Sequence, residues 1–236
     1  MSILVVEDDV DLLDILCFTV RRAGHEVTAA RDGAIGLHLF RSKEPQLVLL
    51  DVNLPKLNGR DVCTAIRAEA RTPIIMLTAL NSEDDVVRGL DPGVDDYITR
   101  PFGPRSLLAK IEAVLRRTRD AAETSRRGWQ ALAVGGLQLD PQWRTVRRAG
   151  REVPLTPTEF KPFFELVPHE GQVLPHRTLT DRVWGYEGVD DSSLLKCHVR
   201  NIRRKLKDAA APACLHTVPA VGYSFRRTAG GAGAAP

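Results

Sequence analysis

No apolar run in this chain approaches the roughly 20 residues that a membrane-spanning helix needs, which excludes a helical transmembrane protein. Cysteine is scarce: Cys17, Cys63, Cys197 and Cys214 lie far apart, without the spacing of a metal site or a redox motif. Reduced packing residues of a cytosolic protein are expected at these positions. The amino terminus turns acidic at Glu7, directly after Ile3-Leu4-Val5-Val6, too soon for a secretory signal. No internal repeat is visible, so repeat architectures drop out. What remains is the expectation of a soluble, cytoplasmic chain.

Its 236 residues are enough for two compact domains, each with its own core. Charge separates them. Residues 1–119 carry 16 basic and 18 acidic side chains, a net of −2, whereas residues 120–236 carry 17 and 12, a net of +5. The whole-chain value of +3 hides this asymmetry, which suggests that only the second half meets nucleic acid.

Apolar runs near 3–6, 26–29, 47–50, 74–77 and 96–98 alternate with helix-period segments, the pattern of buried parallel strands with crossover helices. Leu107, Leu108, Ile111, Val114 and Leu115 form the stripe of a closing amphipathic helix. The order predicts an α/β, flavodoxin-like, doubly wound five-stranded sheet. Polar stations end four of these runs: Glu7-Asp8, Asp51, Thr78 and Arg100. In such sheets ligands bind beyond the carboxyl ends of the strands. Three carboxylates, a hydroxyl and a cation meeting there would suit a hard divalent metal and a phosphoryl group.

Val5-Val6-Glu7-Asp8-Asp9, Leu49-Leu50-Asp51-Val52-Asn53-Leu54-Pro55, Met76-Leu77-Thr78-Ala79 and Asp95-Asp96-Tyr97-Ile98-Thr99-Arg100-Pro101-Phe102 together resemble the receiver domain of two-component response regulators. In the second half, Leu155-Thr156-Pro157-Thr158-Glu159-Phe160-Lys161, Val183-Trp184-Gly185, His198 to Leu206 and Val221-Gly222-Tyr223-Ser224-Phe225 resemble the winged-helix effector domain of the OmpR/PhoB subfamily. The resemblance implies a receiver over 1–119 and an α+β winged-helix domain over 131–228; residues 120–130, polar and without an apolar period, read as the linker, and the small-residue tail over 229–236 as disordered.

It also implies roles. Asp51 would be the phosphorylation site, with Mg²⁺ held by Asp8, Asp51 and the Asn53 carbonyl, and Glu7 acting mainly from the outer shell. Thr78 would bond a phosphoryl oxygen and Tyr97 would turn inward with it. Arg100 stands where the family usually has Lys; a planar guanidinium is not equivalent to a compact ammonium at a tight phosphate site. Asp95, Asp96, Lys110 and Arg117 fall on the family's dimer face, where two-fold pairing would form cross-subunit ion pairs. A solvated charged face competes with that reading.

Thr156-Pro157-Thr158-Glu159 reads as a capped helix start, with Pro162 oddly placed inside the helix that follows. From about Ser193 to Lys207, Leu195, Val199, Ile202 and Leu206 make one buried stripe. The resemblance makes this the recognition helix, with Lys196, Cys197, His198, Arg200, Asn201, Arg203 and Arg204 as DNA-contact candidates, Arg200 and Asn201 suited to base edges, Arg203, Arg204 and Lys205 to phosphates, and Thr217 in the wing reaching a phosphate. The loop from Trp184 to Asp191 would be the segment that can touch RNA polymerase. Pro219 and Ala220 stand where the family often has Arg and Gly.

The reading is a phosphorylation-gated transcription regulator. A sensor histidine kinase would phosphorylate Asp51, receivers would pair, and two winged helices would occupy direct-repeat half-sites in promoter DNA. Two alternatives stay open: a DNA-binding regulator without phosphate control, favoured by Arg100, and a phosphotransfer intermediate with impaired DNA binding, favoured by Pro162, Pro219 and Ala220.

Overall fold

The computed structural model describes residues 1–78, 93–124, 132–134, 136–140, 145–185, 192–208 and 214–227. The chain divides into two compact units, Met1–Arg116 and Arg117–Pro236.

The first unit contains β1 (Ser2–Val6), α1 (Val10–Arg22), β2 (Glu26–Ala30), α2 (Gly33–Lys43), β3 (Leu47–Asp51), α3 (Gly59–Glu69), β4 (Ile74–Thr78), β5 (Asp96–Thr99) and the larger part of α4 (Pro104–Thr124), whose last residues belong to the second. All strand pairs are parallel, in the order β2-β1-β3-β4-β5. Every residue of β3 and β4 is buried, which is why both read as unbroken apolar runs ending in one polar residue. Sequence order reverses between β1 and β3, so the ends of these two neighbours form the crevice of a doubly wound sheet. Glu7-Asp8 and Asp51 meet there for that reason alone. On one face the core joins Ile3, Val5, Leu16, Leu49, Ile75, Ile111 and Val114, which confirms the expected stripe of the closing helix.

Helix α4 continues to Thr124, so the first residues of the stretch read as linker are helical. Ala121, Ala122 and Glu123 are strong helix formers, and their propensity extends the helix past its last apolar turn. Residues 125–130 and 229–236, read as linker and tail, lie outside the described residues.

The second unit opens with an antiparallel sheet of β6 (Leu132–Val134), β7 (Leu137–Asp140), β8 (Thr145–Arg148) and β9 (Arg151–Val153). Helix α5 (Pro157–Leu166) follows, then a 3₁₀ turn (Val167–His169), β10 (Val173–Pro175), α6 (His176–Trp184), α7 (Ser192–Asp208), β11 (Leu215–Val218) and β12 (Gly222–Phe225). The last three strands form a sheet ordered β10-β12-β11. Three helices with a terminal hairpin make the winged helix-turn-helix anticipated from sequence.

The capping box of α5 is complete: Glu159 N–H donates to Thr156 Oγ1 at 3.2 Å, and Thr156 N–H donates to Glu159 Oε2 at 2.8 Å. Pro162 sits inside α5, buried, where its missing N–H removes one helical hydrogen bond. The wing turn closes with Val221 N–H on the Val218 carbonyl at 3.1 Å, with Pro219 and Ala220 as its central residues. Ala220 has φ +61°, the left-handed conformation that the usual Gly adopts without strain.

Candidate functional site

Asp51 ends β3 and is 4% exposed. Its Oδ2 accepts the Asn53 N–H at 3.1 Å, and its Oδ1 accepts Arg100 Nη2 at 2.9 Å. Helix α3 starts hard against this strand end: a Cβ on Gly59 would lie 1.9 Å from the Asp51 carbonyl oxygen, so only glycine fits. Glu7 is fully buried, and its Oε2 accepts the same Arg100 nitrogen. Asp8, exposed, completes a set of carboxylates whose oxygens lie within 4.8 Å of one another.

Burial dominates the electrostatics. Desolvation, then the neighbouring Asp51 carboxylate, pushes Glu7 up to about 7, and Arg100 offsets only part of this. Desolvation also raises Asp51, against the pull of Arg100 and the loop N–H groups. Glu7 Oε1 is buried with no hydrogen-bond partner. An all-oxygen acidic set with an unsatisfied lone pair fits a hard divalent cation, and Mg²⁺ matches it.

The other receiver stations are placed alongside. Thr78, buried, ends β4, and its carbonyl accepts the Arg100 N–H at 2.8 Å. Tyr97 is 7% exposed, its ring already inward, with the Lys110 ammonium 5.5 Å from the ring centroid.

For two of the residues read as the dimer face, the competing reading of a solvated face needs correction. Asp95 and Asp96 are fully buried, so neither forms part of a solvated face. Asp95 pairs with Arg67 of its own chain at 2.7 Å and accepts the Ile74 N–H at 2.9 Å; Asp96 pairs with Lys110 of its own chain at 2.8 Å. Buried carboxylates need such internal partners. The side chain of Arg117 lies outside the described residues.

On α7 the buried face is wider than the predicted stripe. Leu195, Val199, Ile202 and Leu206 are buried as expected, but so are Cys197, His198 and Asn201, each 1% exposed. Those three DNA-contact candidates are therefore withdrawn. The reason is that α7 packs against both α5 and α6, with the His198 ring 5.5 Å from the Trp184 ring. Lys196, Arg200 and Arg204 stay exposed, at four-residue spacing along one face.

Arg203, expected at a phosphate, is engaged instead with the wing. Its Nε and Nη2 donate to the Leu215 carbonyl at 3.2 and 3.0 Å, Nη2 also donates to Thr217 Oγ1 at 2.8 Å, and its guanidinium lies 5.9 Å from the Tyr223 ring. Thr217 is exposed on the wing. Lys205 donates to the fully buried Glu159 at 2.6 Å, tying α7 to α5. Sequence reasoning missed this tether and the Arg67–Asp95 pair, because no local motif links partners 46 and 28 residues apart. The loop 186–191, read as a polymerase contact, lies outside the described residues; Trp184 at its start is buried.

Comparison with known proteins agrees with this geometry. Residues 3–112 match the response regulator receiver domain, and residues 150–225 match the C-terminal domain of transcriptional regulatory proteins. The DNA-binding response regulator MtrA of Mycolicibacterium smegmatis is 39% identical over 94% of this chain and 95% of its own. The sensory transduction protein RegX3 of the same organism is 40% identical over 95% of this chain and 98% of its own. A solved structure of a RitR mutant superposes with TM-score 0.78 at 23% identity, covering 96% of this chain and 99% of that one, a likeness of fold. Matching family domains in both halves and near-complete coverage by these relatives lead to one conclusion: the chain belongs to the two-component response regulators of the OmpR/PhoB type.

Proposed function

We propose that this response regulator is gated by phosphorylation of Asp51 and binds promoter DNA through the exposed basic face of α7. The observation that carries the first part is Asp51 itself, buried at the carboxyl end of β3 with Glu7 and Asp8 grouped around it. A carboxylate there attacks phosphorus in line. The Asp51 O–P bond forms while the N–P bond to a phosphohistidine of a sensor kinase breaks, and the released imidazole takes up a proton from solvent.

Asp8 and Asp51, with the Asn53 carbonyl, would hold Mg²⁺, with Glu7 behind them; the ion supplies charge neutralisation between an anionic nucleophile and an anionic donor. Thr78 offers its hydroxyl to a phosphoryl oxygen. The chemistry proposed is self-modification of Asp51 rather than turnover of an outside substrate.

On α7, Arg200 and Lys196 are the candidates for base edges and Arg204 for phosphate, with Thr217 of the wing beside the backbone. A homodimer would place two such helices at direct-repeat half-sites about one helical turn apart. We assign residues 1–119 to the receiver, 120–130 to the connection and 131–228 to the DNA-binding domain, acting in a bacterial cytoplasm with RNA polymerase as a further partner.

The test is selection of bound sequences from random duplex DNA, with and without Mg²⁺ and beryllofluoride as the phosphoryl mimic. A direct repeat enriched only with the mimic is expected. Equal enrichment without it would favour phosphate-independent control, the reading that Arg100 on Asp51 supports. No enrichment in either arm would overturn the DNA-binding assignment.

A further inference from the structure

Val221, 48% exposed, is the one large apolar side chain left in solvent among the described residues of the second unit. It closes the wing turn Val218-Pro219-Ala220-Val221, in which Pro219 and Ala220 are also exposed and no residue carries a charge. Proline at the second position and a left-handed residue, Ala220, at the third fit a type II turn, stiffened because proline fixes its own φ.

Three neighbours hold this turn in place. The His176 N–H at the start of α6 donates to the Val221 carbonyl at 3.0 Å. Gly222 lies so close to β10 that a Cβ would stand 1.9 Å from the Leu174 carbonyl oxygen. Arg203 of α7 grips β11 through the Leu215 carbonyl and Thr217 Oγ1. An apolar tip braced in this way can enter a ligand without first being ordered, which lowers the cost of binding.

Its surroundings indicate what it meets. Burial and then the charge of Lys196 lower the His176 pKa, which puts that ammonium beside the helix start on which the turn rests. Lys196 begins the exposed basic row of α7, with Arg200 and Arg204. A protrusion flanking a helix in the major groove lies across one phosphate backbone from the adjacent minor groove, and exposed Thr217, directly before the turn, suits that backbone. Charge complementarity therefore selects duplex DNA as the occupant, while the tip itself has no cation with which to read groove potential.

We propose that Pro219 and Val221 form an apolar wedge that the wing seats in the minor groove beside the recognition helix, reading the deformability of base steps rather than their hydrogen-bonding edges. This rests on the assignment of α7 to DNA. Apolar side chains inserted from the minor groove part stacked bases and kink the duplex, at least cost where the step is flexible, as at TA or CA/TG. The recognised site thus extends beyond the bases that α7 touches, into a flank chosen for flexibility.

The test uses the full chain with Mg²⁺ and beryllofluoride, on an end-labelled duplex carrying the selected direct repeat, and compares wild type with Val221→Ser and Pro219→Arg. Wild type should bend the duplex and enrich TA or CA/TG steps in the flank. Val221→Ser should bind roughly fivefold more weakly, since a half-exposed valine has about half its burial still to gain, with less bending and an unchanged salt dependence. Pro219→Arg should steepen the salt dependence by about one released counterion and move the flank preference to narrow A-tracts. Unaltered affinity, bend and flank preference in Val221→Ser would overturn the wedge while leaving DNA binding by α7 intact. Weaker binding of Val221→Ser to the direct repeat but not to a single half-site would assign the tip to a neighbouring copy, and overturn it too. No binding of any duplex by wild type would overturn the assignment of α7 to DNA, and this inference with it.

Discussion

Lys205→Met separates a structural charge from a DNA-binding one. Lys205 lies on the basic helix α7, where sequence alone suggests a phosphate contact. In the structure its ammonium is 2.6 Å from Glu159 Oε2, with the Lys205 side chain 19% exposed and that of Glu159 fully buried. Removing the lysine strands a buried carboxylate whose Oε2 keeps only the Thr156 N–H and whose Oε1 has no hydrogen-bond partner. Breaking one side of a buried pair costs about 3–5 kcal/mol, and the partial exposure of Lys205 argues for the lower figure. For a domain of this size, about 3 kcal/mol corresponds to a melting point lower by roughly 12–24 °C. All three tryptophans of the chain, Trp129, Trp143 and Trp184, belong to the second unit, so fluorescence-monitored melting of the full chain reads that unit selectively. Adding Glu159→Gln to Lys205→Met removes the stranded charge and should recover at least half of the loss. A Lys205→Met protein that melts within about 2 °C of wild type yet binds all duplex sequences more weakly would refute the tether and restore the phosphate contact.

Three further outcomes are expected. Ala220→Gly should stabilise the second unit by about 0.5–1 kcal/mol, since relief of left-handed strain exceeds the extra unfolded-state entropy of glycine; an unchanged or lower denaturation midpoint would contradict this. In selections from random DNA, Arg200→Ala should change the preferred sequence and Asn201→Ala should not, because Asn201 is 1% exposed; a shift with Asn201→Ala would place it at the bases after all. Desolvation, then the charge of Lys196, lowers the pKa of His176 below its usual 6.5, so the folded state favours the neutral ring. That contribution is complete above pH 6.5 and is lost as pH falls through the lowered folded value. Stability of the second unit should therefore decline on acidification, and His176→Gln should flatten the decline; an equal slope in the variant would remove His176 as its source.

Periodicity and order along the chain determined a great deal by themselves. Fully buried strands such as Leu47–Asp51 must be apolar throughout, so the doubly wound sheet was legible, and strand-end position alone brought Glu7, Asp8, Asp51, Thr78 and Arg100 to one edge. The Thr156–Glu159 capping box was equally plain, because its partners are three residues apart. Only the tertiary structure decided which polar groups face water. Helical spacing defines an apolar stripe, but the second helix packed on α7 widened the buried face to include Cys197, His198 and Asn201. Spacing also carries no record of partners distant in sequence, so Arg203 became a strut to the wing, Lys205 a tether to Glu159, and Asp95 and Asp96 internal ion-pair members. The same holds at the phosphoacceptor: Arg100 was visible as a residue out of pattern, but that one of its nitrogens bridges Glu7 and Asp51 depends on three strand ends converging in space.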